Sequence, residues 1–233
     1  MIQANIRAQV SEADFDWMIQ QVSTRKGIRP DEILARTKVE GADWLIDEAA
    51  THLALRADTD ISLALIALLA VRRAFLIRGL TNRPLSDYVG SLLLEFHEDN
   101  TAPALGPGRK QQYLVDILSA ATEAEPREAF ELQSHLGNFS LWMSGVFPDW
   151  IDRRESERGA PGIRYYEQMG AAGFSAAARH PLAAEYGLQA ILRDAAIHFR
   201  ELRLALNSIS DELLWPDAIT PEGRILRSLE RER

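Results

Sequence analysis

Two acid–histidine pairs are the residues best spaced for chemistry. Glu131 and His135 lie four positions apart, as do Asp194 and His198, with Glu201 following the second pair. Residues four apart on a helix share a face, so each pair would present a carboxylate and an imidazole together, donors suited to a divalent transition metal. Glu95, His97 and Glu98 add further donors near the middle of the chain. Facing pairs of this kind hold one or two ions that activate oxygen or water, the chemistry of a di-iron-like oxidase or a metal-dependent hydrolase. Helical di-iron proteins use Glu-x-x-His; both pairs here depart from that spacing, and one begins with aspartate. Acid–base pairs at this spacing are also what a solvated helix face carries.

A second group lies in the stretch 145–170, where Arg153, Arg154, Arg158 and Arg164 fall near Trp150, Tyr165 and Tyr166. Arginine forks recognise carboxylate or phosphate, and tyrosines line pockets with one polar end. This pattern predicts a site for a small anionic ligand, the chemistry of a metabolite sensor. Asp152, Glu155 and Glu157 lie among the arginines, and ion pairs on a solvated helix satisfy the same residues without a ligand. Downstream, Gly170, Gly173 and Ala177 form a small-residue face. Glycine inside a helix costs about 1 kcal/mol relative to alanine, and close approach of a second helix is the compensation expected.

No phosphate loop, dinucleotide fingerprint, nucleophile elbow, H-E-x-x-H or calcium loop occurs in the sequence. The absence of cysteine excludes thiolate metal sites, disulfides and a cysteine nucleophile. His52 and His180 fall at no recognisable catalytic spacing; His52 reads as a core residue, and His180 as a cation suited to a helix C-terminus. A net charge of −8 argues against nucleic acid as the partner. The first residues carry no export signal, and the apolar run 61–71, which stops at Arg72–Arg73, is too short to span a bilayer. Neither membrane nor nucleic acid is therefore expected, and the cytoplasm is the default location.

The elements that must carry these residues are helices. Alanine, leucine, arginine and glutamate dominate while valine and threonine are scarce, a balance that favours helix over strand. Ser11 caps a first helix stopped by Gly27, and Pro30 opens a short second one. A third covers 41–56, a fourth begins at a cap from Asp58 or Asp60 and ends near Gly79, and a fifth opens at Pro84. Beyond the proline- and glycine-rich stretch 99–109, helices are predicted over 110–121, 126–144, 149–157, 163–180 and 182–207, with a solvated tail at 216–233. The expected fold is all-α, an orthogonal or irregular bundle of roughly eight to ten helices. It is read as one domain spanning 1–233, with a possible subdivision at 99–109.

With no catalytic motif on many amphipathic helices, the leading expectation is a non-enzymatic interaction or regulatory module. It would bind a protein partner or form a homodimer. No cofactor is expected outside the divalent-metal alternative.

Overall fold

The computed structural model describes residues 2, 4–52, 61–98 and 114–214. Among them are twelve α-helices and no strand: α1 (Glu12–Lys26), α2 (Pro30–Glu40), α3 (Ala42–His52), α4 (Leu63–Ile77), α5 (Arg83–Glu98), α6 (Leu114–Glu123), α7 (Pro126–Val146), α8 (Pro148–Arg158), α9 (Ile163–Arg179), α10 (Pro181–Glu185), α11 (Gln189–Ile197) and α12 (Phe199–Ile209). A 3₁₀ turn (Ile6–Gln9) precedes α1, and a π turn (Ser210–Leu214) follows α12. The chain divides into two compact units, residues 4–94 and residues 95–233 with 1–3. The division falls within α5, while the stretch 99–109 and the tail 216–233 lie outside the described residues.

Capping chemistry sets the helix starts of the N-terminal unit. Ser11 Oγ accepts the Asp14 N–H at 3.1 Å, and Asp14 Oδ2 accepts the Ser11 N–H at 2.9 Å, a reciprocal box at the start of α1. The other oxygen of Asp14 accepts the Ser62 N–H at 2.9 Å. Ser62 Oγ in turn accepts the Leu65 N–H at 3.1 Å. The cap of α4 is therefore Ser62, not Asp58 or Asp60, which lie outside the described residues. Asp14 thus ties the first turns of two helices together. Burial alone would raise its pKa, but the hydrogen bonds from Ser62 and Ser11 outweigh it and hold the carboxyl below its ordinary value. Beneath these caps Ile6, Met18, Leu45, Leu65, Leu68 and Leu69 form one apolar cluster. Burying each such side chain stabilises by about 1.5–3 kcal/mol.

In the C-terminal unit α7 and α9 pack most extensively; α6 and α12 lie on α7, and α11 lies on α9. The small residues permit the α7–α9 contact. A Cβ on Gly137 would sit 2.4 Å from the Phe174 ring, and one on Gly170 would sit 2.2 Å from Phe199. A Cβ on Gly173 would lie 2.9 Å from the backbone of both Gln133 and Gly137. The small-residue face expected from the sequence is therefore filled by a neighbouring helix.

The sequence reading differs from the structure most clearly at 182–207, expected as one helix. Leu188, Leu192, Ala195, Phe199, Leu202 and Leu206 are all buried as the spacing requires. The backbone is nonetheless broken into α10, α11 and α12. Gly187 adopts a left-handed φ of 68°, which ends α10, and His198 departs from helical geometry with φ −101° and ψ 22°. Apolar spacing survived because the hydrogen bonds His198 N–H to Asp194 O and Leu202 N–H to His198 O, both 2.9 Å, keep the helical phase across the second break.

Because backbone atoms bound the space around Gly173, the site cannot relax by rotating a side chain. Gly173→Ala is expected to lower stability by about 1–3 kcal/mol through overpacking, despite alanine's better helix propensity. Urea unfolding monitored by circular dichroism measures this; a stabilised variant would contradict the tight contact.

Candidate functional site

The acid–histidine pairs do not assemble a metal centre. Among the described residues, no three His, Asp or Glu side chains gather closely enough to hold an ion. Glu131 and His135 lie on α7, while Asp194 and His198 lie at α11, and each of these helices packs against α9. Glu131 is exposed and accepts from Arg127 Nε at 3.3 Å. His135 stacks on Phe139, ring centroids 5.9 Å apart, and burial lowers its pKa to about 4, leaving the imidazole neutral at pH 7. Asp194 has Arg193 at 3.9 Å, and His198 and Glu201 are partly buried. Glu95 is exposed, whereas the side chains of His52, His97 and Glu98 lie outside the described residues.

Two arginines of α8 find partners on their own helix. Arg153 reaches Glu157 at 3.8 Å, and the Arg154 guanidinium lies 4.7 Å from the centre of the Trp150 ring. Arg158 and Arg164 are exposed. Tyr165 and Tyr166 meet edge to face at 6.2 Å and rest on the apolar cluster of Leu114, Ile117, Leu132 and Leu136. They are thus anchored in packing between α6, α7 and α9. His180, expected as a cation at a helix end, instead uses Nδ1 to accept the Leu182 N–H at 3.3 Å, capping α10. Its ring lies 5.4 Å from Phe130.

The richest constellation lies in the N-terminal unit, on residues the sequence reading did not single out. It grows from Arg72, which sits inside α4 with its side chain only 4% exposed. A buried guanidinium needs a hydrogen-bonded counter-charge. Asp47 of α3 supplies it, accepting from Arg72 Nε and, at 3.3 Å, from Nη2. Arg83 of α5 donates to the same carboxylate at 2.7 Å and approaches Asp43 at 3.7 Å. Arg7 of the 3₁₀ turn pairs with Asp43, and its Nε donates to Asp87 at 2.6 Å. The result is an unbroken alternation, Asp87–Arg7–Asp43–Arg83–Asp47–Arg72, linking the 3₁₀ turn, α3, α4 and α5.

Two of these aspartates shift in opposite directions. Burial pushes both carboxyls up. At Asp47 the hydrogen bonds and charges of Arg72 and Arg83 exceed that push, so its pKa is lowered. At Asp87 burial prevails over Arg7, and the pKa is raised. One Asp87 oxygen, Oδ1, is buried without a hydrogen-bond partner, as is Nη1 of Arg72.

Beside this chain of charges opens a cleft of about 460 Å³, lined by Glu40, Asp43, Trp44, Asp47, Glu48, Thr51, Leu76 and Arg83. Helix geometry explains the convergence. Asp43, Asp47 and Thr51 recur at a spacing of four along α3, with Trp44 and Glu48 beside them. Arg7, Arg72, Lys26 and Arg36 all pair with lining carboxylates, yet none of them lines the opening. The walls therefore present four carboxylates, one indole and one guanidinium. Comparison with protein-family models, curated proteins and solved structures finds no match to this chain.

Removing the Asp47 charge leaves Arg72 buried without its counter-ion. Asp47→Asn is expected to cost about 3 kcal/mol at pH 7, the low end for a broken buried pair because Asp47 itself is 25% exposed. The lowered pKa of Asp47 means that its stabilisation is present above the ordinary carboxylate value near 3.9 and is lost as pH falls through the folded-state value. Urea titrations between pH 7 and pH 2 should therefore show a shallower acid limb in the variant. His135 acts in a separate window: its lowered pKa gives stability that is complete above about 6.5 and lost progressively towards about 4. Histidine Cε1–H chemical shifts followed by NMR check this, and a His135 midpoint near 6.5 would refute its burial as a neutral ring.

Proposed function

We propose that this chain is a non-enzymatic recognition module that binds a protein partner by seating a cationic side chain in the acidic cleft of the N-terminal unit. One observation carries the reading. The carboxylates of Glu40, Asp43, Asp47 and Glu48 converge on a single opening, while the cations that pair with them lie largely outside its walls. An ionised carboxylate accepts through about four lone-pair positions, so these groups retain acceptor capacity towards a second cation. Trp44 adds an aromatic ring to the wall, and the Arg36 guanidinium already lies 4.3 Å from its centre.

The same arrangement speaks against catalysis in the cleft. Its lining contains no histidine, and each of its carboxylates is paired with an arginine or lysine. A basic segment of a partner protein is therefore favoured over a small anion as the occupant. The chain's net charge of −8 adds long-range attraction for such a segment.

Titration calorimetry with a hexa-lysine peptide tests this proposal. Binding is expected at low ionic strength and should weaken at least about tenfold at 0.5 M salt, because screening acts on exposed charges. The double variant Glu40→Gln, Glu48→Gln, which alters the cleft wall without touching Arg72, should weaken it by roughly fivefold. No detectable binding at about 1 mM peptide and low salt would refute the reading.

A further inference from the structure

The 3₁₀ turn at Ile6–Gln9 crosses the N-terminal unit as a short strap. Ile6 is fully buried and fills the groove above Gly90, where a Cβ would sit 2.8 Å from its Cδ1 and 3.9 Å from the Ala67 carbonyl of α4. The Ile6 N–H donates to Ser91 Oγ at 3.1 Å, and that hydroxyl donates to the Asp87 carbonyl at 3.0 Å. Arg7 Nε donates to Asp87 Oδ2 at 2.6 Å, and Arg7 also pairs with Asp43. Apolar, main-chain and ionic anchors of the strap therefore meet on one stretch of α5.

The ionic anchor is unequal. The Asp87 side chain is 13% exposed against 40% for Asp43, and its Oδ1 is buried without a hydrogen-bond partner. An unmet oxygen of a buried carboxylate penalises the charged form. The charged groups around Asp87 are Arg7 of the strap, Asp43 of α3, Arg72 of α4 and, one turn back on α5, Arg83. Arg7 is shared with Asp43, whose charge repels Asp87, while Arg72 and Arg83 donate to Asp47. Burial therefore prevails, and the Asp87 pKa stands above its ordinary value.

We propose that the strap is a proton-linked latch over the Gly90 groove: ionised Asp87 biases it towards opening, and a proton on Asp87 holds it shut. The latch goes beyond the acidic cleft and requires no ligand there. Closed, the strap keeps Asp87 from water; open, Arg7 and Ile6 leave and both carboxylate oxygens are hydrated. A carboxyl whose pKa is higher in the closed state binds its proton more tightly there. Protonation therefore favours closure, and the gain grows as pH falls through that raised value towards the ordinary one at about 3.9. A protonated Asp87 keeps an oxygen for Arg7 and loses the charge that burial penalises. Opening is local, because α1 begins at its own capping box of Ser11 and Asp14 and stays formed when the strap lifts.

Native-state hydrogen exchange on the full chain, followed by NMR and corrected for intrinsic rates, tests the latch. The Ile6 amide reports the strap, and the Leu69 amide, inside α4, reports global opening. At pH 7, Asp87→Asn keeps an acceptor for Arg7 and removes the charge, so Ile6 protection relative to Leu69 is expected to rise by roughly threefold to fivefold. Arg7→Ala, which keeps the charge and removes its partner, should lower it by about as much. An ordinary structural ion pair would lose protection in both variants. Ile6 protection unchanged or reduced in Asp87→Asn therefore overturns the proposal. If that variant does not fold, the wild type decides: the ratio of Ile6 to Leu69 protection should rise between pH 7 and pH 4, and a flat or falling ratio overturns the latch.

Discussion

A guanidinium withdrawn from water must find a counter-charge, and in the N-terminal unit that requirement organises everything around it. Arg72 occupies the second-last turn of the most apolar helix, where Leu68, Leu69, Val71 and Phe75 are all buried. Its neighbours cannot hydrate it, so Asp47 must lie within reach, and this fixes the rotation of α3 against α4. Asp47 then recruits Arg83 from α5. Asp43, one turn earlier, recruits Arg7 and with it the 3₁₀ turn. The 3₁₀ turn is held twice more, by the Ile6 N–H donating to Ser91 Oγ at 3.1 Å and by Ile6 filling the space above Gly90. One buried charge thereby sets the positions of four elements, and the acidic wall of the cleft is the outer side of the same arrangement.

The C-terminal unit is governed by a different constraint, the distance between two helix axes. Gly137, Gly170 and Gly173 leave no room for even a methyl group, and aromatic rings from Phe174 and Phe199 occupy the space that side chains would have taken. Polar groups serve this packing. Asn207 donates to the Ser144 carbonyl at 3.3 Å, Ser210 donates to the Val146 carbonyl at 3.1 Å, and Arg203 joins Asn207 to Glu167. The Asn207 and Ser210 bonds satisfy carbonyls in the last turn of α7 that its own helix leaves unpaired. Buried Asn138, which begins an Asn-x-Ser triplet, belongs to this interior too.

Such different constraints explain why recognition is assigned to one unit only. Packing around α7 takes up His135 and the two tyrosines, while Glu131 stays exposed and Asp194 and His198 lie apart at α11. His135 stacks on Phe139 and the tyrosines rest on leucines and isoleucine. In the N-terminal unit the ion pairs hold Glu40, Asp43, Asp47 and Glu48 at the rim of an opening. Rigid support behind, with acceptor capacity in front, is the arrangement that a binding surface needs.

Period, caps and composition made the helices legible. Ser11 and Gly27 bound α1, Pro30 begins α2, and the buried line from Leu188 to Leu206 follows its helical spacing. The glycine face was readable for the same reason, since its cost inside a helix demands a close neighbour. Local rules failed where a single residue breaks the backbone without breaking the phase, as at His198, and where a charge was read as an ending. Arg72 marked the end of an apolar run in the sequence, yet in the fold it continues the buried face of α4. Its partner lies 25 positions away on another helix, and no periodicity within α4 can announce it. The residues alone thus determine where the chain coils and which sides shed water. Which charges meet is decided by the packing of those coils, because Coulombic and hydrogen-bonding partners are chosen by distance in space, a quantity that neighbours in sequence do not specify.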